Sequence, residues 1–186
     1  MKIREIIAQT AEVVENKELA EIIRSAEEDG DEDAAAKAAL LLRGFYFAER
    51  NIAYDYEPQK RTIPVNGGRV YYSDLGVSVI KILRAVGKGG GELGFSAHAD
   101  YVDTPSDTAA IEIYCCPAED GMDGDFLYEN CRIGKLAFVY ATAAEYCMLC
   151  GRYDEAENFD VKFRRSAERT PKFSSRRIKA RRDWGL

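Results

Sequence analysis

The apolar residues of this chain change their spacing twice along its length, and that alternation restricts the fold more than any other feature. In the first third, Ile3, Ile6, Ile7, Val13 and Val14 recur at intervals of three and four, the signature of one helix face. Leu19, Ile22 and Ile23 repeat the pattern briefly. It stops at the acidic stretch Glu27 to Asp33, which reads as a solvated loop with Asp31 or Asp33 capping the helix that follows. From Ala34 the Ala- and Leu-rich run to Tyr56 favours helix. Pro58 ends it, because the residue before a proline is pushed out of helical geometry.

The middle third reads as strands. Arg61 to Val65 and Arg69 to Tyr72 flank Asn66-Gly67, a two-residue hairpin signal because both positions tolerate positive φ. Val77 to Leu83 is rich in β-branched residues. Short strand candidates follow at Leu93 to Phe95 and Ala99 to Asp103, and a last one from Ala110 to Cys115 stops before Pro117. Helical character returns from Cys131 to Cys150, apolar almost all round and therefore expected to be buried. Gly151 closes that helix, and Tyr153 to Ala167 forms the return helix with Ala156, Phe159, Phe163 and Ala167 on one stripe. The predicted fold is α+β: N-terminal helices and a C-terminal αα-hairpin flank a small antiparallel β insert, with an extended basic C-terminal arm. The expected divisions are 1–58, 59–117, 118–170 (the hairpin packing on the N-terminal helices) and 171–186 for the arm.

Charge distribution separates that arm from the rest. The net charge is −6. Between Lys162 and Arg182 ten basic residues face one acidic residue, Glu168, which places about +9 there and about −15 on the remainder. Phe173, Ile178 and Trp184, the only tryptophan, are interleaved with the basic residues. Arginine and tryptophan are enriched at interface hot spots, so a protein partner is the first expectation. Arginines with an aromatic also suit single-stranded nucleic acid, which keeps a small regulatory or nucleic-acid-binding protein, its arm on phosphate, as the alternative. No apolar run approaches the roughly 18 residues of a membrane helix, and glutamates interrupt the N-terminal stretch where an export signal needs an apolar run. Five irregularly spaced cysteines do not form a disulfide framework, as expected of a protein kept in a reducing cytosol.

No group of residues assembles into a catalytic pattern. Cys147 and Cys150 form a C-x-x-C at the end of an apolar helix, where cysteine acts as a small hydrophobe; Cys115-Cys116 is adjacent rather than spaced and makes no second half of a zinc site. His98, the only histidine, lies near Asp100 and Asp103 but without a nucleophile motif, and reads as a solvent-facing strand or loop residue. The Gly87 to Gly91 loop lacks the order of a phosphate-binding loop and reads as a hairpin loop. Glu119 to Asp125 lacks the spacing of a calcium loop and reads as solvated. A non-enzymatic protein without metal or cofactor is the expectation.

Several segments, in order, carry a resemblance. They are the Ile-rich helix start Lys2 to Ile7, the run Asn51 to Pro58, the strands between Ile63 and Val86, and Ile111 to Tyr114 ending at Pro117. They continue with Ala143 to Cys147, Gly151 to Ala156 and the arginine-rich terminus with its aromatic residue. With these the chain resembles small prophage virion proteins of Gram-positive bacteria and, more distantly, the tail-adaptor or head–tail connector proteins of phages. The resemblance implies a structural protein of the virion, assembled in the bacterial host cytoplasm. It implies many copies in a ring, dodecameric by the family pattern, between the portal protein and tail proteins, with DNA passing through the channel without sequence-specific binding and no membrane. It also implies that Arg176, Arg177, Arg181, Arg182 and Trp184 dock the arm into the portal. An acidic ring wall would repel rather than grip the passing duplex.

Overall fold

The computed structural model describes residues 1–25, 32–129 and 131–168. Helices α1 (Ile3–Val14), α2 (Lys17–Ser25) and α3 (Glu32–Asp55) come first. Seven strands follow: β1 (Gln59–Pro64), β2 (Gly68–Tyr71), β3 (Val79–Gly87), β4 (Glu92–Leu93), β5 (Ser96–Ala97), β6 (Tyr101–Thr104) and β7 (Thr108–Cys115). Helices α4 (Lys135–Leu149) and α5 (Tyr153–Ala167) complete the order, so the fold is α+β with helices on both sides of an antiparallel insert.

Helix α4 is the axis of the helical body, packing against α1, α3 and α5. Its buried side includes Phe138, Val139, Tyr146 and Cys147, while Leu136 and Met148 stay exposed. Phe138 meets Phe126 edge-on at 4.9 Å between centroids and Tyr128 at 4.7 Å, which joins the segment before α4 to the core formed with Phe45 and Ile52 of α3. Gly44 allows α3 and α4 to touch. A Cβ there would stand 3.1 Å from the Tyr146 backbone nitrogen and 3.3 Å from the Thr142 carbonyl oxygen.

Helix α1 buries Ile3, Ile6, Ile7 and Val14 as the spacing predicts, together with Ala8, Thr10 and Ala11. Val13, placed on the same face from sequence, points outward, because 100° per residue carries it off the stripe that Val14 occupies. Asn16 caps α2, its Oδ1 accepting from the Leu19 backbone N–H at 2.8 Å. The expected cap of α3 by Asp33 is corrected: Asp33 lies inside the first turn, paired with Lys37 at 2.6 Å, while Asp31 falls outside the described residues.

The acidic stretch 119–125 is more than a solvated loop. The Ile3 and Arg4 backbone N–H groups, orphaned at the start of α1, donate to the carbonyls of Gly124 (3.0 Å) and Met122 (2.8 Å). Lys2 reaches Asp125 and Arg4 reaches Asp123, both at 2.8 Å, fastening the N-terminus to the linker that returns from the insert.

The insert holds two sheets, ordered β1-β7-β3-β4 and β2-β6-β5, that share one core of Ile82, Ala85, Val102, Ile111, Ile113 and Cys115. The predicted hairpin at Asn66-Gly67 does not form. β1 instead pairs with β7, Ile63 opposite Ile111, and β2 pairs with β6 in the other sheet. The turn signal is genuine but redirects the chain between sheets. Gly67 has φ 68°, and a Cβ there would sit 2.5 Å from the Pro105 carbonyl oxygen. The Gly87 to Gly91 loop does join a hairpin, β3–β4, closed by Gly87 N–H donating to the Gly91 carbonyl at 2.8 Å. On the face of β7 opposite its isoleucines, Glu112 is held between Arg84 (2.6 Å) and Lys60 (2.7 Å). Those two cations hold its carboxyl down at about 2.

The last helical stretch begins later than its composition predicts, at Lys135 rather than Cys131, and leaves Ile133 buried in the approach. The α4–α5 turn matches expectation. The chain reverses at Gly151 with the Arg152 N–H donating to the Cys147 carbonyl at 2.8 Å, and Ala156, Phe159 and Ala167 are buried with Phe163 packed beside them. Arg152 then ties the turn to α1, donating to Glu15 at 2.7 Å and to the Val14 carbonyl at 3.0 Å, while the Tyr146 hydroxyl donates to the same Glu15 carboxylate at 3.0 Å.

Candidate functional site

The sequence placed the partner-binding residues on the arm, and Arg176, Arg177, Arg181, Arg182 and Trp184 all lie outside the described residues. Two other places gather chemistry-bearing side chains: the outer face of the β2–β6–β5 sheet and the junction between the insert and the helical body.

On the outer sheet face, register decides the neighbours. Arg69 stands opposite Asp103 and Tyr71 opposite Tyr101. Cross-strand pairs on one sheet face are close enough to interact, and here they do. Arg69 Nε donates to Asp103 at 3.1 Å, and its guanidinium carbon lies 4.0 Å from the centre of the Tyr101 ring. Tyr71 meets Tyr101 edge-on at 5.8 Å. His98 stacks on Tyr101 at 4.5 Å and points Nε2 toward Asp103 at 3.5 Å. The strand–turn–strand geometry that places His98 is fixed by its N–H donating to the Tyr101 carbonyl (2.9 Å) and by the Tyr72 hydroxyl donating to the His98 carbonyl (3.1 Å).

Residues 96–100 are exposed, as is Tyr71, with 46% of its surface open. Within the cluster the carboxylate of Asp103 is engaged by Arg69. The chemical capability of the cluster is recognition: planar rings and a guanidinium held flat on a rigid sheet, the residue types that anchor interfaces. Tyr71 and Tyr101 share this face, whereas Tyr72 turns partly toward the insert core.

The junction is built differently. Tyr46, Glu49 and Arg50 of α3, residues 76–78 before β3, and Cys116 to Glu119 after β7 line a cleft of about 240 Å³. The Cys116 N–H donates to the Ser78 carbonyl at 2.9 Å, and the Gly121 N–H donates to the Tyr46 hydroxyl at 2.8 Å, so both strands entering the cleft are pinned. Glu49 is only 4% exposed and has no hydrogen-bond or ion-pair partner among the described residues. Burial first, then the charges of Asp120 and Glu119, push its carboxyl up to about 8. Burial and the same carboxyl also raise the Tyr128 hydroxyl, and burial raises the Cys116 thiol. Arg50 turns to Glu119 at 3.7 Å instead.

Sequence reasoning passed over Glu49, although a signal was present. It falls four residues after Phe45 and three before Ile52, on the apolar stripe of α3, where a charge is out of place.

Cys147 is buried, its thiol raised to about 11 by burial, which fits the core role, but Cys150 is exposed at the helix end, so the pair is not wholly core. Among the described residues no three His, Cys, Asp or Glu side chains are grouped to hold a metal ion, and no helix is long and apolar enough to cross a membrane. No family model and no curated protein matches the chain.

Proposed function

We propose that this chain is a non-enzymatic structural protein of a phage or prophage particle, a head–tail adaptor whose copies form a ring between portal and tail. The observation that carries this reading is the exposed Arg69–Tyr71–His98–Tyr101–Asp103 ladder on an insert with its own core, set beside a helical body with another. A ring needs two unlike patches on each copy that meet head to tail. A rigid aromatic–guanidinium face is one suitable patch, and the helical body offers the other. The acidic charge outside the arm suits a channel that lets DNA pass, and the arm with Arg176, Arg177, Arg181, Arg182 and Trp184 is assigned to the portal. The work site is then the virion, after assembly in the host cytoplasm.

The rival reading, a small nucleic-acid-binding protein, draws on the arginines of the arm. It requires binding that falls steeply with salt. Light scattering and negative-stain imaging of the full chain, alone and with the portal encoded beside it, separate the two. Rings, or a ring on the portal that is lost when the four arginines and Trp184 are replaced by serine, are expected. A chain that stays monomeric with its portal and binds single-stranded DNA in a salt-dependent way would replace this reading with the rival.

A further inference from the structure

The junction cleft goes beyond the adaptor reading and stands whether or not the chain forms rings. A carboxyl that has given up most of its water without gaining a partner is costly. Glu49 is such a group, and it lines an open cleft rather than a sealed core. The side chains around it make the shortage specific. From its own helix come the Tyr46 hydroxyl, already accepting from Gly121, and Arg50, turned to Glu119. From the linker after β7 come Glu119, Asp120 and the Cys116 thiol; from the segment before α4 comes the Tyr128 hydroxyl; residues 76–78 bring no charged side chain. Three carboxyls therefore act together with one guanidinium at the rim, so the site lacks positive charge at its floor. Metal is a poor match, since these side chains do not converge closely enough for three of them to hold one ion, whereas a single flat cation with several N–H donors can enter a cleft of this size.

We infer that the cleft between α3 and the 116–119 linker is a socket for one guanidinium side chain, delivered by a basic protein segment that pairs with Glu49 and Glu119. The occupant is the arginine-rich stretch 169–182 of another copy of this chain, and an arginine-bearing segment of a separate protein is the alternative that the test separates from it. Charge complementarity supports this choice, since about +9 is concentrated between residues 162 and 182 against about −15 elsewhere. Occupation would also bridge the helical body to the returning strand end of the insert, fixing the two against each other.

The test follows the Glu49 carboxyl by carbon NMR in the full-length protein as pH is varied. The probe is N-acetyl-arginine amide, with N-acetyl-citrulline amide as its uncharged isostere. In dilute protein, where copies do not fill one another's clefts, the arginine probe is expected to lower the midpoint of the Glu49 titration by about one pH unit at saturation, equivalent to about tenfold tighter binding to the ionised form. The citrulline probe is expected to leave it in place. Glu49→Gln is expected to weaken binding of the arginine probe about tenfold, and Glu119→Gln to weaken it less, with both variants keeping the wild-type far-UV spectrum. An unmoved midpoint, an equal shift with citrulline, or unchanged probe affinity in Glu49→Gln overturns the socket.

Replacing Arg176, Arg177, Arg181 and Arg182 by glutamine identifies the source. If the chain's own stretch fills the cleft, the Glu49 midpoint of the concentrated full-length protein rises in this variant. If another protein supplies the guanidinium, the midpoint is the same in both chains and the arginine probe lowers it in both. A ring that forms normally while the probe is ignored would remove the socket and leave the adaptor reading intact.

Discussion

The helical body and the β insert are stabilised in opposite ways. The body buries large side chains in one continuous core, with Phe45, Phe138, Tyr128, Tyr146, Ile6, Ile7 and Ile52 all below 2% exposure. The insert's core is a cluster of six buried apolar residues, of which only Ile82, Ile111, Ile113 and Val102 are sizeable, and it relies on pairs across its strands: Arg84 and Lys60 on Glu112, Arg69 on Asp103 and Tyr101. Burial is worth kilocalories per side chain, while exposed pairs are worth tenths to about one. The body is therefore the part that holds the fold. The outer face of the insert is the part whose side chains can change without unfolding it.

The strongest way to break that contrast is to cut into the body. Phe138→Ala removes a fully buried ring that touches both Phe126 and Tyr128. It is expected to cost about 3–5 kcal/mol in urea unfolding and to unfold body and insert together. An insert that kept its near-UV signal while the body melted would show that the two cores are independent.

A second test uses the junction. Burial keeps Glu49 protonated up to about 8, above the 4.5 of an ordinary glutamate, so between those values the folded chain holds a proton that the unfolded chain has released. Stability must then fall as pH rises through this window, and the loss is complete above it. Glu49→Gln removes the penalty. The variant is expected to match the wild type near pH 4 and to exceed it by about 4–5 kcal/mol at pH 9, measured as the pH profile of the urea midpoint. Parallel profiles would mean that Glu49 is hydrated in solution.

Arg152→Ala is the next smaller perturbation. It leaves the Glu15 carboxylate with the Tyr146 hydroxyl as a donor and frees the Val14 carbonyl at the end of α1. The expected loss is about 1–2 kcal/mol, with amide exchange rising first in α1 and the α4–α5 turn.

These regions were not equally legible in the sequence. Helix positions came through because neighbours three and four residues apart determine them: Ile3, Ile6 and Ile7 on α1, and Ala156, Phe159 and Ala167 on α5, all face the core. The sheet pairing did not, because it is set by residues far away. Asn66-Gly67 carries a local turn signal, but Ile63 finds Ile111, and Gly67 has to be glycine because of Pro105, a contact no neighbouring residue reveals. The outer-face ladder was visible only as separate aromatics, since Arg69, His98 and Tyr101 meet through a register that the sequence does not state. Glu49 was readable from its place on an apolar stripe. Its lack of a partner was not, because that depends on where the 116–121 linker passes.

The smallest expected effect on stability sharpens the comparison most. Replacing Arg69 and Tyr71 by serine takes away the cation–π contact, the ion pair to Asp103 and the edge contact to Tyr101, while Val102, Ile111 and Ile113 remain buried beneath. Exposed pairs of this kind contribute little, so the expected shift in Tm is a few degrees at most. If the face is an assembly contact, the same double variant loses ring formation in light scattering, because interface anchors count for more when a partner desolvates them than they do on a free surface. Large loss of assembly with small loss of stability separates a face kept for a partner from one kept for the fold. A drop of 10 °C or more in Tm with assembly unchanged would show that the ladder braces the insert, and the head-to-tail contact would have to be sought on the helical body instead.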